Sequence, residues 1–415
     1  MNDPCLVWDN RLALQTQNRP GLHVLLAGVS HYPNLPGPNE PLTDAGLGMR
    51  RLSSTSLSAY LLLDWLVRSE QAQQLHVPLA TCRLLLTSTP VEMAKAPPLG
   101  GPAGPTMTQL GAPSCSLDPL RRAAMKWRDD ASAQREAATL FYFAGHGIER
   151  SRGDQVILLD SFGDAGGLLL QHAVDVKSLR SGMAPTVARQ NIARTQFYFI
   201  DACRNLPSVV LTYQQLQASW LFDVVESGTD DRNAPIFFAA PPDGKAQAVP
   251  NEQTLFSIAL LRCLKGEAAK PPRDDAEVPA DRLWHVTSQS LNSGLETTLA
   301  ELNRQYKGSQ RWIADGFGED VVLCYLNGPP KVPIRIMVEP DPAVPHTQVT
   351  VVDAANPAQP LCTFPAPGTA HPYQRDLIAG QYRMQAASPL PNYRPLDRPC
   401  VVEPLGSRLW KLKVG

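Results

Sequence analysis

The feature that most constrains this chain is a set of short, largely apolar runs, each ending abruptly in small or polar residues. "LHVLLAGV" (22–29), "CRLLLTS" (82–88), the strand at 140–144 within "TLFYFAGHGIE", Phe197 to Ile200 and "APIFFAAP" (234–241) lack the polar alternation of a strand with one wet face. Such runs are satisfied only in a sheet covered on both sides. Between them lie segments of helical spacing: 55–69, 116–137 with a serine in the N-cap position, 254–266 ending in glycine, and the run from "VTSQSL" to "LNRQY". Strands alternating with helices predict an α/β domain with a mostly parallel sheet and helices on both faces. "DQVILLD" (154–160) and "EDVVLCYL" (319–326) add strands, the second being the last of this region. Residues 90–115, rich in Pro, Gly and Ala, read as a loop.

After "NGPPKVP" the period changes. "IRIMV", "TQVTVVD", "GQYRMQAA" and "LWKLKV" are short alternating strands separated by turn residues, which predicts a small all-β sandwich. The expected organisation is an N-terminal arm at 1–20, an α/β domain at 21–327 and the sandwich at 328–415.

Charge and cysteine usage narrow the classes. A net charge of −1 over 415 residues gives no electrostatic footprint for nucleic acid. The apolar runs are too short to span a bilayer, and "MNDPCLVWDNR" is not a secretory leader. Eight cysteines, at 5, 82, 115, 203, 263, 324, 362 and 400, form no CxxC pair, so neither a zinc ribbon nor a disulfide framework is expected. These features predict reduced thiols, a cytoplasmic protein, and partners that are neither nucleic acid nor membrane.

Two apolar strands end in chemistry-bearing residues. One runs into "GHG", with His146 between glycines; another runs into "DACRN", with Cys203. In an open parallel sheet, functional groups collect beyond the carboxyl ends of the strands. A thiol and an imidazole there form a nucleophilic pair, the imidazole taking up and returning protons. Glycine beside the histidine lets backbone N–H groups approach a developing oxyanion.

With these motifs the chain resembles the caspase-like cysteine peptidases, of the bacterial, metacaspase-related kind. The resemblance spans about 20–327 and includes "LLAGVSHYPNLP", "TDA" at 43–45, "FYFAGHG", "FYFIDACRN" and "FFAAPPDGKAQAVPNEQTLFSIALLRCL". The 57 residues from His146 to Cys203 are close to the roughly 50 of the caspase arrangement. The resemblance implies Cys203 as nucleophile, His146 as general acid/base, and the N–H groups of Gly147 and Cys203 as the oxyanion hole. It places Asp201 in the specificity pocket, with Asp44 as a helper, and so implies cleavage of protein substrates after Arg or Lys. Two departures touch the pocket: Ala144 stands where metacaspases often have Ser, and "DACRN" lacks the glycine that often follows.

The resemblance requires no cofactor. It admits calcium, for which Asp160, Asp164, Asp230 and Asp231 are the available carboxylates, although their spacing matches no calcium loop; no metal site is assigned. His31 and His172 read as loop histidines, and Ser257 and Ser288 lack an elbow context. Arg232, in the linker after the cysteine strand, is the candidate for self-cleavage, with Lys95, Lys270 and Arg273 as others in proline-bearing loops. The expected activity is that of a cysteine endopeptidase, made as a zymogen that a protease or regulatory protein activates, in a bacterial signalling or defence pathway. The rival readings are a non-catalytic scaffold that binds partners through the sandwich, and a thiol-dependent acyltransferase on the same dyad.

Overall fold

In the computed structural model the described residues are 3–151, 153–164, 166–212, 216–223, 230–272 and 284–415. They divide into two compact units: residues 1–261 with 298–324, and residues 262–297 with 325–415. In chain order the elements are β1 (Leu6–Asp9), α1 (Arg11–Thr16), β2 (Leu22–Val29), α2 (Thr55–Gln71), β3 (Leu79–Thr87), α3 (Pro90–Lys95), α4 (Leu117–Ala131), β4 (Ala138–Ala144), β5 (Gly147–Ser151), β6 (Asp154–Leu158), β7 (Ala173–Asp175), α5 (Val176–Ser181), β8 (Thr195–Asp201), β9 (Ile236–Phe238) and α6 (Leu255–Arg262). Then come β10 (Trp284–Thr287), α7 (Ser288–Tyr306), β11 (Ile313–Asp315) and β12 (Val322–Leu326).

The main sheet has the order β1-β3-β2-β4-β8-β9-β11. The five inner strands are parallel, and β1 and β11 close the two edges antiparallel. Every residue of β2 and β4 is buried, as two-sided covering requires. Leu25, Ala27 and Val29 point into a core shared with Leu120, Ala123, Ala124 and Trp127 of α4. The alternate residue Gly28 faces α2, so closely that an added Cβ would lie 2.8 Å from Ser56 Cα. Helices therefore cover both faces, and the expected α/β class holds. The amino end of α2 is tied from elsewhere in the chain: Ser30 Oγ accepts from Thr55 and Ser56 N–H, and the buried carboxylate of Glu92 accepts from Leu57 N–H. These bonds satisfy donors that the first turn of a helix leaves free.

Some sequence expectations are corrected. The first 20 residues are not a loose arm. β1 pairs with β3, and the buried Arg83 ties Asp3 (2.9 Å) and Asp130 (2.7 Å) to the sheet edge. A four-residue strand and a one-and-a-half-turn helix are too short to show a period. The stretch from residue 90 opens with a helix, α3, started by a Thr89–Glu92 capping box, because Pro90 fits the first helical turn. β6 belongs to a separate antiparallel sheet, β5-β6-β7, rather than to the main one. Ser116 occupies the N-cap position of α4, yet its side chain makes no capping bond.

The C-terminal strands are β13 (Lys331–Glu339), β14 (Gln348–Asp353), β15 (Asn356–Phe364), β16 (Tyr373–Ile378), β17 (Gly380–Ala387), β18 (Leu396–Val402) and β19 (Leu409–Lys413). They form two sheets, β16-β13-β19 and β15-β14-β17-β18. Val332, Ile334, Ile336 and Val338 of the first share one core with Val349, Val351, Tyr382 and Met384 of the second. That is the expected sandwich. All eight cysteines are unbridged.

Candidate active site

β4 and β8 are neighbours in register, Ala144 opposite Asp201 at their carboxyl ends. His146 and Cys203 each lie two residues beyond that pair, so the register alone delivers both to the carboxyl end of the sheet. The glycines around His146 are dictated by close packing. A Cβ on Gly145 would lie 2.7 Å from the Phe143 ring and 2.8 Å from Tyr32 Oη. On Gly147 it would lie 2.8 Å from the Cys203 carbonyl oxygen and 2.9 Å from Ala202 Cβ, contacts no real side chain tolerates.

The imidazole is held from two sides. His146 N–H donates to Tyr32 Oη (2.8 Å), whose own proton goes to the Leu158 carbonyl (3.0 Å). The Tyr32 ring lies against the imidazole, centroids 4.9 Å apart. His146 Nε2 lies 2.7 Å from the carbonyl oxygen of Arg50. A carbonyl only accepts, so Nε2 carries the proton, and in the neutral ring Nδ1 holds the free lone pair. Burial pushes the imidazole down to about 4, with the Arg50 contact opposing, so the ring is neutral at pH 7.

Cys203 is half-buried, and burial raises its thiol above the usual range. Ala246 N–H points at Sγ (3.4 Å), and the Ala246 carbonyl lies 3.8 Å away. No hydrogen bond joins Cys203 to His146 among the described residues. In this arrangement the thiol keeps its proton and faces Ala246.

The backbone around the pair is equally specific. Leu158 N–H donates to the His146 carbonyl (2.9 Å), which makes Gly147, opposite Ile157, a non-hydrogen-bonded position of the β5–β6 ladder. The Gly147 N–H therefore points away from β6. Glu149, two residues on, directs its N–H the same way and donates to the Asn205 carbonyl (3.0 Å).

Asp201 is buried, 1 % exposed. Its Oδ2 accepts from Tyr142 Oη (2.8 Å) and from the Thr254 hydroxyl, while Oδ1 has no partner. Burial raises the carboxyl to about 6, against these two bonds.

Other expected residues fall apart in space. Asp44 is exposed in the loop after β2 and makes no hydrogen bond or ion pair with His146, Cys203 or Asp201. Arg232 is not a presented cleavage site. Its side chain is 6 % exposed, pairs with Asp230 (2.6 Å) and donates to the Arg180 carbonyl (2.7 Å). The next residue, Asn233, is bonded to Arg194 and Gln196 alongside β8, so this peptide cannot enter an active site without local unfolding. Lys95 is exposed at the end of α3, Lys270 pairs its backbone with His285, and Arg273 lies outside the described residues. The calcium candidates do not converge. Asp160 is buried and accepts from Thr87 and Ser161, Asp230 pairs with Arg232, and Asp231 pairs with Arg135 and Arg194. No group of three or more potential metal ligands occurs among the described residues. A cleft of about 930 Å³ opens at the opposite, amino-terminal ends of the strands, lined by Asp9, Arg11, His23 and Asp130. It holds none of the expected site residues, and Asp9 and Asp130 already engage Arg11.

Sequence reasoning missed Tyr32, the Arg50 carbonyl, Ala246, and the buried pair Glu149–Arg204. Arg50 and Ala246 act through backbone groups, which leave no residue signature, and Tyr32 acts through its hydroxyl and ring from a loop far from both motifs in the chain. The last two stood inside the recognised motifs, three residues after His146 and one after Cys203.

Residues 106–304 match the family model of the caspase domain, a stretch that contains both His146 and Cys203. Among individual proteins, an uncharacterized protein, y4kE, of Sinorhizobium fredii (strain NBRC 101917 / NGR234) is 25% identical over 281 residues, covering 65% of this chain and 76% of its own. The crystal structure of protein GSU0716 from Geobacter sulfurreducens aligns over 72% of this chain and 95% of its own, at 11% identity and a TM-score of 0.37. That score is too low to bear on fold or chemistry. No helix among the described residues is long and apolar enough to cross a membrane.

Proposed function

We propose that this chain is a cysteine endopeptidase in which Cys203 is the nucleophile and His146 the general acid/base. The observation that carries the reading is the shared strand-end register, which puts the thiol and an imidazole with a free Nδ1 at the carboxyl ends of two neighbouring strands. Sγ passes its proton to Nδ1 and attacks the substrate carbonyl. The tetrahedral oxyanion is met by the N–H groups of Gly147 and Cys203. The imidazolium then protonates the leaving amine, the C–N bond breaks, and a thioester remains. Water, deprotonated by the same imidazole, releases the acid and restores the thiol.

Specificity for Arg or Lys rests on Asp201. A carboxylate buried with an unpartnered oxygen is short of compensating charge, and a substrate cation supplies it. The resting thiol, protonated and facing Ala246, fits an enzyme made as a zymogen; activation turns Sγ toward Nδ1. In this reading the protein acts in the cytoplasm without a cofactor, and the C-terminal sandwich binds a regulatory partner.

Fluorogenic peptides ending in Arg, Lys or Asp test it, with and without calcium, against Cys203→Ala. Cleavage after Arg or Lys that vanishes in the variant is the expected result. Activity that survives Cys203→Ala refutes the dyad. Cleavage after Asp alone refutes the role of Asp201.

A further inference from the structure

We infer that the buried Glu149–Arg204 ion pair positions the oxyanion donors against the nucleophile. The inference rests on the peptidase reading and adds two positioning residues to it. Glu149 lies on β5, two residues past Gly147; Arg204 directly follows Cys203. Their side chains are 2 % and 6 % exposed. Arg204 Nε (3.0 Å) and Nη2 (2.7 Å) both donate to Glu149 Oε1, and the guanidinium stacks over the Phe238 ring at 4.5 Å.

A buried ion pair adds little stability over apolar residues of the same volume, because two charges must leave water. What this pair does is join three segments. It crosses the seam between β5 and the cysteine loop, where Glu149 N–H meets the Asn205 carbonyl and the Gln155 amide donates to the Cys203 carbonyl (3.2 Å). At the same seam Gly147 approaches the Cys203 backbone too closely for any side chain. The Arg204 backbone also bonds Gly244 (2.9 Å) and Asp243 (3.0 Å), in the loop whose Ala246 N–H points at Sγ. One fork thus sets the register of Gly147 N–H against Cys203 N–H and Sγ. Sub-ångström placement of such donors decides their effect in the transition state.

The test uses the full chain, a peptide substrate ending in Arg or Lys, a peptide aldehyde of the same sequence and iodoacetamide. The aldehyde adds to Sγ and places its new oxygen where the oxyanion forms. Alkylation by iodoacetamide needs the thiol and no oxyanion hole; Cys203→Ala serves as the blank for the other cysteines. In Glu149→Gln, kcat falls at least about tenfold with KM within about threefold, and aldehyde affinity falls in parallel. The alkylation rate of Cys203 stays within about twofold, an outcome that general loosening of the fold would not give. Arg204→Lys, which keeps the charge and loses the fork, gives the same pattern at smaller size. If Glu149→Gln does not fold, the double variant Glu149→Met with Arg204→Met, which leaves no unpaired charge, is read by the same two measures. Unchanged kcat and aldehyde affinity in a folded variant overturn this inference and leave the peptidase reading standing. A wild type that cleaves no peptide and forms no aldehyde adduct, even after limited proteolysis to activate a zymogen, refutes both.

Discussion

The strands of the first unit and those of the C-terminal sandwich bury their side chains by different rules. β4 is buried at all seven positions, whereas β13 and β17 alternate between a core face and an outer face. Both patterns follow from what covers the sheet. Helices lie on both faces of the first; the second has one shared core and an outward side. The difference carries over to chemistry. A parallel sheet sealed on both faces leaves its strand ends as the open positions, and His146, Asp201 and Cys203 stand there. The sandwich exposes side chains along whole strands, which suits a binding surface better than a water-excluded site.

The comparison is broken most sharply at the two half-buried thiols. Cys203→Ala is expected to lower peptide cleavage by at least about a thousandfold, while Cys362→Ala in β15 leaves it unchanged; progress curves on a basic peptide decide. Loss of activity in Cys362→Ala would bring the sandwich into the reaction.

Core truncation separates the burial rules next. Phe141→Ala, fully buried in β4, is expected to destabilise by about 3–5 kcal/mol, and Gln381→Ala on the outer side of β17 by no more than about 0.5 kcal/mol. Urea titrations that gave similar values would refute the two-face account.

A pH slope at Asp201 comes next. Its carboxyl is raised to about 6 in the fold, from an ordinary 3.8. A raised acid holds its proton better in the folded state. The stability linked to it is therefore complete below about pH 4 and lost as pH rises through about 6. The loss amounts to roughly 3 kcal/mol. In Asp201→Asn that slope disappears, and so does the preference for Arg or Lys. Thermal melting between pH 4 and 7 measures the first, and the peptide panel the second. Wild-type and Asp201→Asn melting curves that run parallel over that range would show Asp201 to be unperturbed, since the buried His146 and His23 titrate in the same window in both.

Much of this was legible from residues alone. Apolar runs such as "LHVLLAGV" read as doubly covered strands, and the abrupt switch to "GHG" and "DACRN" marked the strand ends where the candidate site lies. β11 and β5 escaped because three to five residues carry too little pattern, and β5 begins inside the histidine motif. Asp44 rests on the resemblance of "TDA" to the family's Asp-Ala pair, and Arg232 on the implied basic specificity and its place in the linker after the cysteine strand. The structure leaves the first in solvent and folds the second into a network with Asp230, Arg180 and Gln196.

By itself, then, the sequence determined the class of fold, the switch to alternating strands after "NGPPKVP", and the two motifs, because hydrophobic period and glycine placement are local properties. Tertiary structure decided how the pieces of the site face one another. The Arg50 carbonyl at Nε2, the Ala246 backbone at Sγ, the unpartnered oxygen of Asp201 and the Glu149–Arg204 fork join residues far apart in the chain. Hydrogen bonds to backbone groups and the desolvation that shifts a pKa exist only once the chain has brought those groups together and excluded water around them.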